Sequence, residues 1–271
     1  MKLENVQDVY PLSPMQTGML FHAIEASEPG LYLLQLRVTL DGPVHFETLR
    51  DAWSEVVQRH EALRAAFVWE GLDEPLQVIH ERVETRWVRV DASAPATGVG
   101  LGEDGQGGDP EAAWLAEDRR EGFDLTQAPL MRLALLKLGP ERHRLVWTFH
   151  HLLADAWSMA VVMQELHAIY HALRAGREPA LSPAPAYRDF IGWLKARDLD
   201  AAKASWQRYL EGVRQPMALR FPAQAASGSV SGRQLETRIL SQELGMALTA
   251  LAQAQRVTPT ALYLAAWGIV L

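Results

Sequence analysis

An apolar run that ends in two adjacent histidines constrains the fold of this chain more than any other stretch. Leu145–Phe149 is typical of a buried strand, and His150 and His151 follow at its end. Asp155 comes four residues after the second histidine, where a helical pattern begins that reaches about Leu173. Aspartate is a preferred helix N-cap, so we predict a strand, a short turn and a helix. Neighbouring side chains on a strand point to opposite faces, so the two histidines cannot do the same job.

The remaining segments alternate between strand-like and helical patterns, which favours a mixed α/β fold. Apolar runs bounded by turn residues predict strands at Leu31–Leu40, Arg64–Trp69, Leu76–Ile79, Arg86–Val90, Leu130–Leu138, Arg142–Phe149 and Gln234–Leu240. Helical spacing predicts helices at Phe46–Ala62, Glu111–Glu121, Tyr187–Arg197, Ala201–Glu211, Ser241–Gln255 and from Thr258 onward. Gly139–Glu141 separates two of these strands, and we expect an antiparallel hairpin there.

The first helix is predicted from its capping residues. Ser13 is a preferred N-cap, Pro14 suits the first helical position, and Gln16 lies three residues after the cap. This is the spacing of a capping box, in which the glutamine side chain bonds back to the cap backbone. We therefore expect a helix that begins after Ser13 and continues through Phe21.

The composition excludes several classes of function. With no cysteine among its 271 residues, the chain forms neither disulfides nor a thiolate site. The net charge of −7 argues against a nucleic-acid binder, which needs a basic face. No apolar window reaches the ~18 residues of a membrane span and no signal-peptide pattern is present, so we expect a cytoplasmic protein. Glycine-rich Ser93–Pro110 predicts a flexible surface loop, and Ala/Ser/Gly-rich Ala223–Gly232 predicts a linker.

Histidine is the side chain best suited to move a proton near neutral pH, so the strand end is a candidate catalytic site. One of His150 and His151 would act as a general base or position an attacking group, while a structural role for both is the alternative. Asp155 is compatible with a simple helix cap or with an ion pair to an arginine. His167 and His171 have a helical spacing that can bind zinc, but no third ligand is evident nearby, and we expect no metal site.

Tryptophan is abundant, with nine residues in the chain. Most of them fit the apolar faces of predicted helices, so we expect core packing rather than an aromatic binding strip. This expectation covers Trp53, Trp114, Trp157, Trp193 and Trp206.

Stretches in three parts of the chain resemble motifs of one protein family, in the expected order. His150–Ser158 resembles the HHxxxDG signature of the condensation domains of nonribosomal peptide synthetases. Tyr10–His22 resembles the opening helix motif of that family, and Arg59–Phe67 resembles its RHExLRTxF box. Pro129–Arg132 is also similar to the family. Ordered motifs at fitting separations are far more specific than any single one.

Two positions depart from the family pattern. Ala65 stands where threonine is usual, and Ala156 stands where the signature has glycine. An added methyl group in the first turn of a helix is sterically mild and raises helix propensity. We therefore expect Ala156 to be tolerated.

The resemblance implies an α/β two-layer sandwich like that of chloramphenicol acetyltransferase, with a mixed sheet and flanking helices. It assigns His151 to the acyl-transfer tunnel as the catalytic residue, and His150 and Asp155 to structural support. Arg64 is the candidate ion-pair partner of Asp155. Ser158 and the backbone amides near it are candidates for stabilising an oxyanion. Whether His151 removes a proton or mainly positions the amine stays open.

The resemblance also implies a division into lobes. We expect residues 1–180 to form the N-terminal lobe, 181–232 a helical connection and linker, and 233–271 the beginning of a C-terminal lobe. Domains of the family are substantially longer, and the chain ends within a helical pattern, so we expect an incomplete second lobe. Because the remainder closes the tunnel, we expect the chain to be inactive alone.

The implied reaction is amide formation between a carrier-bound acyl or peptidyl thioester and a carrier-bound aminoacyl acceptor. Upstream and downstream carrier domains supply phosphopantetheine, an adenylation domain is adjacent, and the chain itself binds no cofactor. If Met1 is the natural start, a starter type of condensation domain fits the sequence. Such a domain attaches a fatty acyl group from coenzyme A or an acyl carrier to the first amino acid of a lipopeptide. An elongating type fits otherwise. The alternatives are an ester-forming or coenzyme A-dependent acyltransferase of the same superfamily, and a truncated lobe that only binds carriers.

Overall fold

A computed structural model describes residues 5–26, 30–93, 109–213 and 238–271 of the chain. The chain divides into two compact units, residues 1–197 and 198–271. This boundary falls inside the segment 181–232 that we predicted as a connection. The predicted linker at 223–232 and nearly all of the predicted loop at 93–110 lie outside the described residues.

The first unit contains two sets of strands and the helices that flank them. Its strands are β1 (Val6–Pro11), β2 (Leu33–Asp41), β3 (Ala65–Val68), β4 (Leu76–His80), β5 (Arg86–Asp91), β6 (Met131–Gly139) and β7 (Arg142–His150). Its helices are α1 (Pro14–Glu25), α2 (Phe46–Arg59), α3 (Pro110–Glu121), α4 (Ala156–Arg174) and α5 (Tyr187–Lys195), with a 3₁₀ turn at Glu61–Arg64. The second unit contains α6 (Leu199–Tyr209), α7 (Gln242–Gln255) and α8 (Pro259–Val270).

The strands form two sheets. Strands β1, β4 and β3 pair antiparallel in that order. The second sheet has the order β2-β7-β6-β5, in which β7 is antiparallel to both neighbours and β5 is parallel to β6. A parallel pair needs a crossover connection, and α3 lies on it. The predicted β6–β7 hairpin and the mixed α/β class with flanking helices are therefore confirmed.

Strand β7 is central to its sheet and carries much of the core. Its apolar run Leu145–Phe149 is buried throughout, as expected for a strand covered on both faces. Trp147 meets Trp53 of α2 edge to face, with ring centroids 5.1 Å apart, and stacks on Phe149 at 4.2 Å. This packing holds the carboxyl end of β7, and with it the histidine pair, in a rigid part of the fold.

Helices α2 and α4 are joined near both ends of α2. Arg59, the last residue of α2, makes two hydrogen bonds to the carboxylate of Glu165, with N···O distances of 3.0 and 3.3 Å. The ring of His60 lies 2.8 Å from the same carboxylate. At the other end, the backbone N–H of His45 donates to the Tyr170 hydroxyl at 3.0 Å. We call these contacts the α2–α4 clamp.

Several elements differ from the expectations. Strand β1 was not predicted, because the opening stretch is mixed and polar; it is an edge strand with alternating burial. Residues 234–237 of the predicted strand Gln234–Leu240 lie outside the described residues, and 238–240 are irregular. The core placement of Trp193 and Trp206 was wrong, since these side chains are 52% and 63% exposed.

Candidate active site

His151 lies in the turn between β7 and α4, at the wall of a cavity of about 820 Å³. Strand pairing ends one residue earlier, where His150 of β7 faces Leu33 of β2. The backbone N–H of His151 still donates to the carbonyl of Tyr32 at 2.8 Å, which continues the sheet by one bond. The cavity has a largely apolar wall, formed chiefly by Met15, Met19, Leu153, Tyr187, Phe190 and Leu194.

One hydrogen bond sets the protonation pattern of the His151 ring. Its Nδ1 lies 2.8 Å from the backbone carbonyl oxygen of Ala154. A carbonyl oxygen can only accept, so Nδ1 carries the hydrogen. In the neutral ring Nε2 then holds a free lone pair. The turn therefore presents an imidazole that can accept a hydrogen bond or a proton at Nε2.

His150 sits in different surroundings. It is only 4% exposed, its Nδ1 accepts the backbone N–H of Leu152 at 3.2 Å, and it lines a separate cavity of about 220 Å³. Burial and the neighbouring His151 lower the pKa of His150 to about 4, against the effect of a backbone hydrogen bond with Leu31. His150 is therefore neutral at physiological pH and part of the packed structure. The two histidines of the motif thus face different cavities.

Asp155 is the N-cap of α4. Its Oδ1 accepts the backbone N–H of Ser158 at 2.8 Å and the Ser158 hydroxyl at 2.7 Å. These two hydrogen bonds lower the pKa of Asp155 below its usual value. Both donors of Ser158 are occupied by this carboxylate, so the expected role of Ser158 as an oxyanion donor is not supported by the structure.

The predicted ion pair between Arg64 and Asp155 is wrong for the described structure. Arg64 is 2% exposed, and its guanidinium donates instead to Gln7 Oε1 at 2.7 Å and to the backbone carbonyls of Val57 at 3.1 Å and of His80. Five donors in a rigid fork suit such a set of carbonyls. Arg64 therefore ties the end of α2 to β1 and β4, away from the histidine turn.

Two residues that follow Asp155 also differ from expectation or from the family motif. Trp157 was expected in the core, but its side chain is 84% exposed on the first turn of α4. Ala156 is the first residue of α4. A helical backbone conformation is open to any residue, so nothing at this position requires the conformational freedom of glycine.

Sequence reasoning recognised Gln16 only as a capping residue and missed its contact with the site. The predicted capping box is present, with Ser13 N–H donating to Gln16 Oε1 at 3.0 Å and Gln16 N–H donating to Ser13 Oγ at 3.2 Å. In addition, Gln16 Nε2 donates to the backbone carbonyl of Leu152 at 3.1 Å. Leu152 lies within the histidine turn, 136 residues away in sequence. Only long-range structure reveals this bond.

The described residues contain no group of three or more His, Asp or Glu side chains arranged to hold a metal ion. His167 and His171 lie ring to ring, with centroids 4.4 Å apart, on the exposed face of α4. Among the helices that the structure describes, none is long and apolar enough to cross a membrane.

The sequence matches a known family model and several curated proteins. The family model described as Condensation domain matches residues 6–271. A linear gramicidin synthase protein from Brevibacillus parabrevis is 37% identical over 266 residues, which is 98% of this chain and 5% of that protein. Bacitracin synthase 1 from Bacillus licheniformis is 34% identical over 269 residues, again 98% of this chain and 5% of that protein. The chain thus spans about a twentieth of these relatives.

Solved structures show the same fold. The starter condensation domain of rhizomide synthetase aligns with a TM-score of 0.65 and 22% identity, covering 78% of this chain and 50% of that one. The X-domain in its complex with OxyB from teicoplanin biosynthesis aligns with a TM-score of 0.63 and 29% identity, covering 82% and 46%. These likenesses confirm the predicted chloramphenicol acetyltransferase-like sandwich.

Proposed function

This chain belongs to the condensation-domain family of nonribosomal peptide synthetases, and we propose that it forms an amide bond between two carrier-bound substrates beside His151. The donor is an acyl or peptidyl thioester, and the acceptor is the free amine of an aminoacyl thioester. We propose that phosphopantetheine arms on upstream and downstream carrier domains deliver both groups. The protein would act in the cytoplasm beside an adenylation domain.

The observation that carries this proposal is the state of the His151 ring. Its Nδ1–H is held by the Ala154 carbonyl, and the residue borders a cavity of about 820 Å³. The free lone pair of Nε2 can accept a hydrogen bond from an amine that enters this cavity. His150, buried and neutral, supports the turn without taking part in the chemistry.

The chemical step needs little more than correct placement. The amine nitrogen attacks the thioester carbon, the C–N bond forms, and the C–S bond breaks. The proton lost by nitrogen ends on the departing sulfur, so no oxidant or reductant is needed. His151 Nε2 accepts a hydrogen bond from the amine and thereby orients it. While the tetrahedral intermediate exists, the same nitrogen shares the proton that the amine loses. Positioning an amine against an activated carbonyl supplies much of the rate by itself.

The proposal is tested by His151→Ala in the native polypeptide that contains these 271 residues. With two loaded carrier domains, intact-protein mass spectrometry should show the amide product on the acceptor carrier. We expect the rate to fall about 10²–10⁴-fold, the range of a lost general base. The thermal unfolding temperature should fall by only a few degrees, since one hydrogen bond to the Ala154 carbonyl is lost. His167→Ala is the matched control, because it removes an exposed histidine of α4 that does not line the cavity. A His151→Ala rate close to that of the unsubstituted protein would remove His151 from the proposal.

The same assay separates the related functions. Fatty acyl and aminoacyl donors offered together decide between a starter and an elongating type. Equal turnover of a free coenzyme A thioester would instead favour a coenzyme A-dependent acyltransferase of the superfamily. A role in binding alone is the second candidate, since the similar X-domain was solved in complex with another protein. The intact turn around His151 favours catalysis.

A further inference from the structure

We infer that Gln16 is a positioning residue for His151, acting through the carbonyl of Leu152. This inference rests on the proposed function, because it assigns a residue to the same reaction. Gln16 belongs to α1, far from β7 in sequence, yet its side chain reaches the histidine turn. It is 6% exposed, so water cannot replace a bond that it loses.

The orientation of the Gln16 amide is determined by its partners. Oε1 accepts the backbone N–H of Ser13 at 3.0 Å, and Nε2 donates to the Leu152 carbonyl at 3.1 Å. A backbone N–H can only donate and a carbonyl can only accept, so the amide cannot be turned around. Gln77 Nε2 and the Tyr187 hydroxyl also lie 3.3 Å from Gln16 Oε1. The amide is therefore held from α1, β4 and α5 at once.

The Leu152 carbonyl is directly next to the reacting residue. The turn from His151 to Ala154 is closed on one side by the bond from His151 Nδ1 to the Ala154 carbonyl. Gln16 fixes the peptide unit that follows Leu152. With both bonds in place, the short backbone segment that carries the imidazole is held across its two ends and at the Leu152 carbonyl between them. A displacement of about 1 Å at a reacting group can cost 10²-fold in rate.

Helix capping alone does not account for this contact. The capping box uses only Gln16 Oε1 and the backbone N–H, and glutamate serves the same position in a capping box. The Nε2 hydrogen bond to Leu152 lies outside the box. Gln16→Glu thus keeps the cap and the side-chain volume while it removes the one donor that reaches the turn.

The inference is tested with Gln16→Glu in the native polypeptide, assayed with two loaded carriers. We expect kcat to fall about 10²-fold with little change in the KM for the carriers, because the imidazole is misplaced after binding. As the pH falls through the pKa of the introduced carboxyl, an O–H donor to Leu152 returns, and the ratio of variant to parent rate should rise. Gln16→Met should lose the same activity but show no recovery, since its side chain has no donor at any pH.

Gln58→Glu is the matched control. Gln58 is exposed, and its Nε2 donates to the Glu81 carbonyl at 3.2 Å, so the same change removes the same kind of bond elsewhere. We expect parental kcat for it. Parental kcat in both Gln16→Glu and Gln16→Met would overturn the inference, and so would an equal loss in Gln58→Glu. If Gln16→Glu does not fold, the uncharged Gln16→Met decides.

Failure of the proposed function would look different. In that case the unsubstituted protein forms no amide with any donor. The positioning role is then judged from the ¹⁵N NMR signals of the His151 ring, which should report a single Nδ1–H tautomer in the parent. A mixture of tautomers in Gln16→Met supports the inference, and an unchanged spectrum overturns it.

Discussion

Asp155→Ala is expected to lower the free energy of unfolding by about 1 kcal/mol, because the residue caps α4 and does not neutralise a buried cation. Two hydrogen bonds from Ser158 to Asp155 Oδ1 are lost, and the first turn of a 19-residue helix loses its cap. Removal of an N-cap costs ~0.5–2 kcal/mol in proteins. The family motif suggested a larger loss, since breaking a buried ion pair costs ~3–5 kcal/mol.

A melting experiment distinguishes the two losses of stability by their central values, about 3 °C for the cap and about 12 °C for the ion pair. For a unit of about 200 residues, 1 kcal/mol corresponds to a shift of about 2–4 °C in Tm. The cap therefore predicts a shift of roughly 1–8 °C, centred near 3 °C, whereas a broken ion pair predicts roughly 6–20 °C. Differential scanning calorimetry at pH 7 measures this. Asp155→Asn is the matched control, because asparagine caps as well as aspartate but carries no charge.

The pH dependence gives a second check. The Ser158 hydrogen bonds lower the folded-state pKa of Asp155 below its usual value of 3.8. The stability from the ionised form is therefore fully present above that value and is lost as the pH falls below it. The Tm difference between the parent and Asp155→Ala should narrow in that range. A loss above roughly 10 °C at pH 7 in both Asp155→Ala and Asp155→Asn would refute the reasoning and restore a charged partner.

Two further predictions concern the sheet that carries the histidine pair. Asp118→Asn should lower the free energy of unfolding by ~3–5 kcal/mol, because Arg132 Nε lies 2.6 Å from Asp118 Oδ1 and both side chains are almost fully buried. Urea denaturation measures this loss, and an unchanged midpoint concentration of urea would contradict it. The Tm of the parent protein should fall as the pH is lowered from about 6.5 to 4, and His150→Gln should make that fall smaller. Burial lowers the pKa of His150 to about 4, so the unfolded chain binds the proton first and native stability drops by up to ~3 kcal/mol on acidification. Identical slopes in the two proteins would contradict that account.

Local patterns in the sequence were enough to place the elements around the site. The caps Ser13 and Asp155 each bond three residues ahead, so a short stretch contains all the information. The β6–β7 hairpin is likewise local, since its strands are joined by a short turn. The relation of His150 to His151 follows from strand alternation. These features involve neighbours in the chain and could be predicted from it.

Contacts between distant segments could not be predicted in the same way. Arg64 was assigned to Asp155 because a buried charge needs a partner, but backbone carbonyls and Gln7 satisfy it instead. Carbonyl groups are present at every residue, so no pattern marks the ones that an arginine will choose. The hydrogen bond from Gln16 to Leu152 joins residues 136 positions apart, and the hydrophobic periodicity of the sequence does not indicate it. The exposure of Trp157 similarly depends on which face of α4 other segments cover.

The α2–α4 clamp fixes the helix that follows the histidine turn against its neighbour. Arg59 and Glu165 pin the middle of α4, and Tyr170 meets the start of α2 at His45, so α4 can neither slide nor roll against its neighbour without breaking a bond at one end. The histidine turn is attached to this anchored helix. On the other side, Met15 of α1 and Phe190 of α5 line the cavity beside His151, and both helices reach the turn through the hydrogen bonds of Gln16. The cavity wall around His151 is therefore braced from two directions, and the position of the imidazole depends on both sets of contacts.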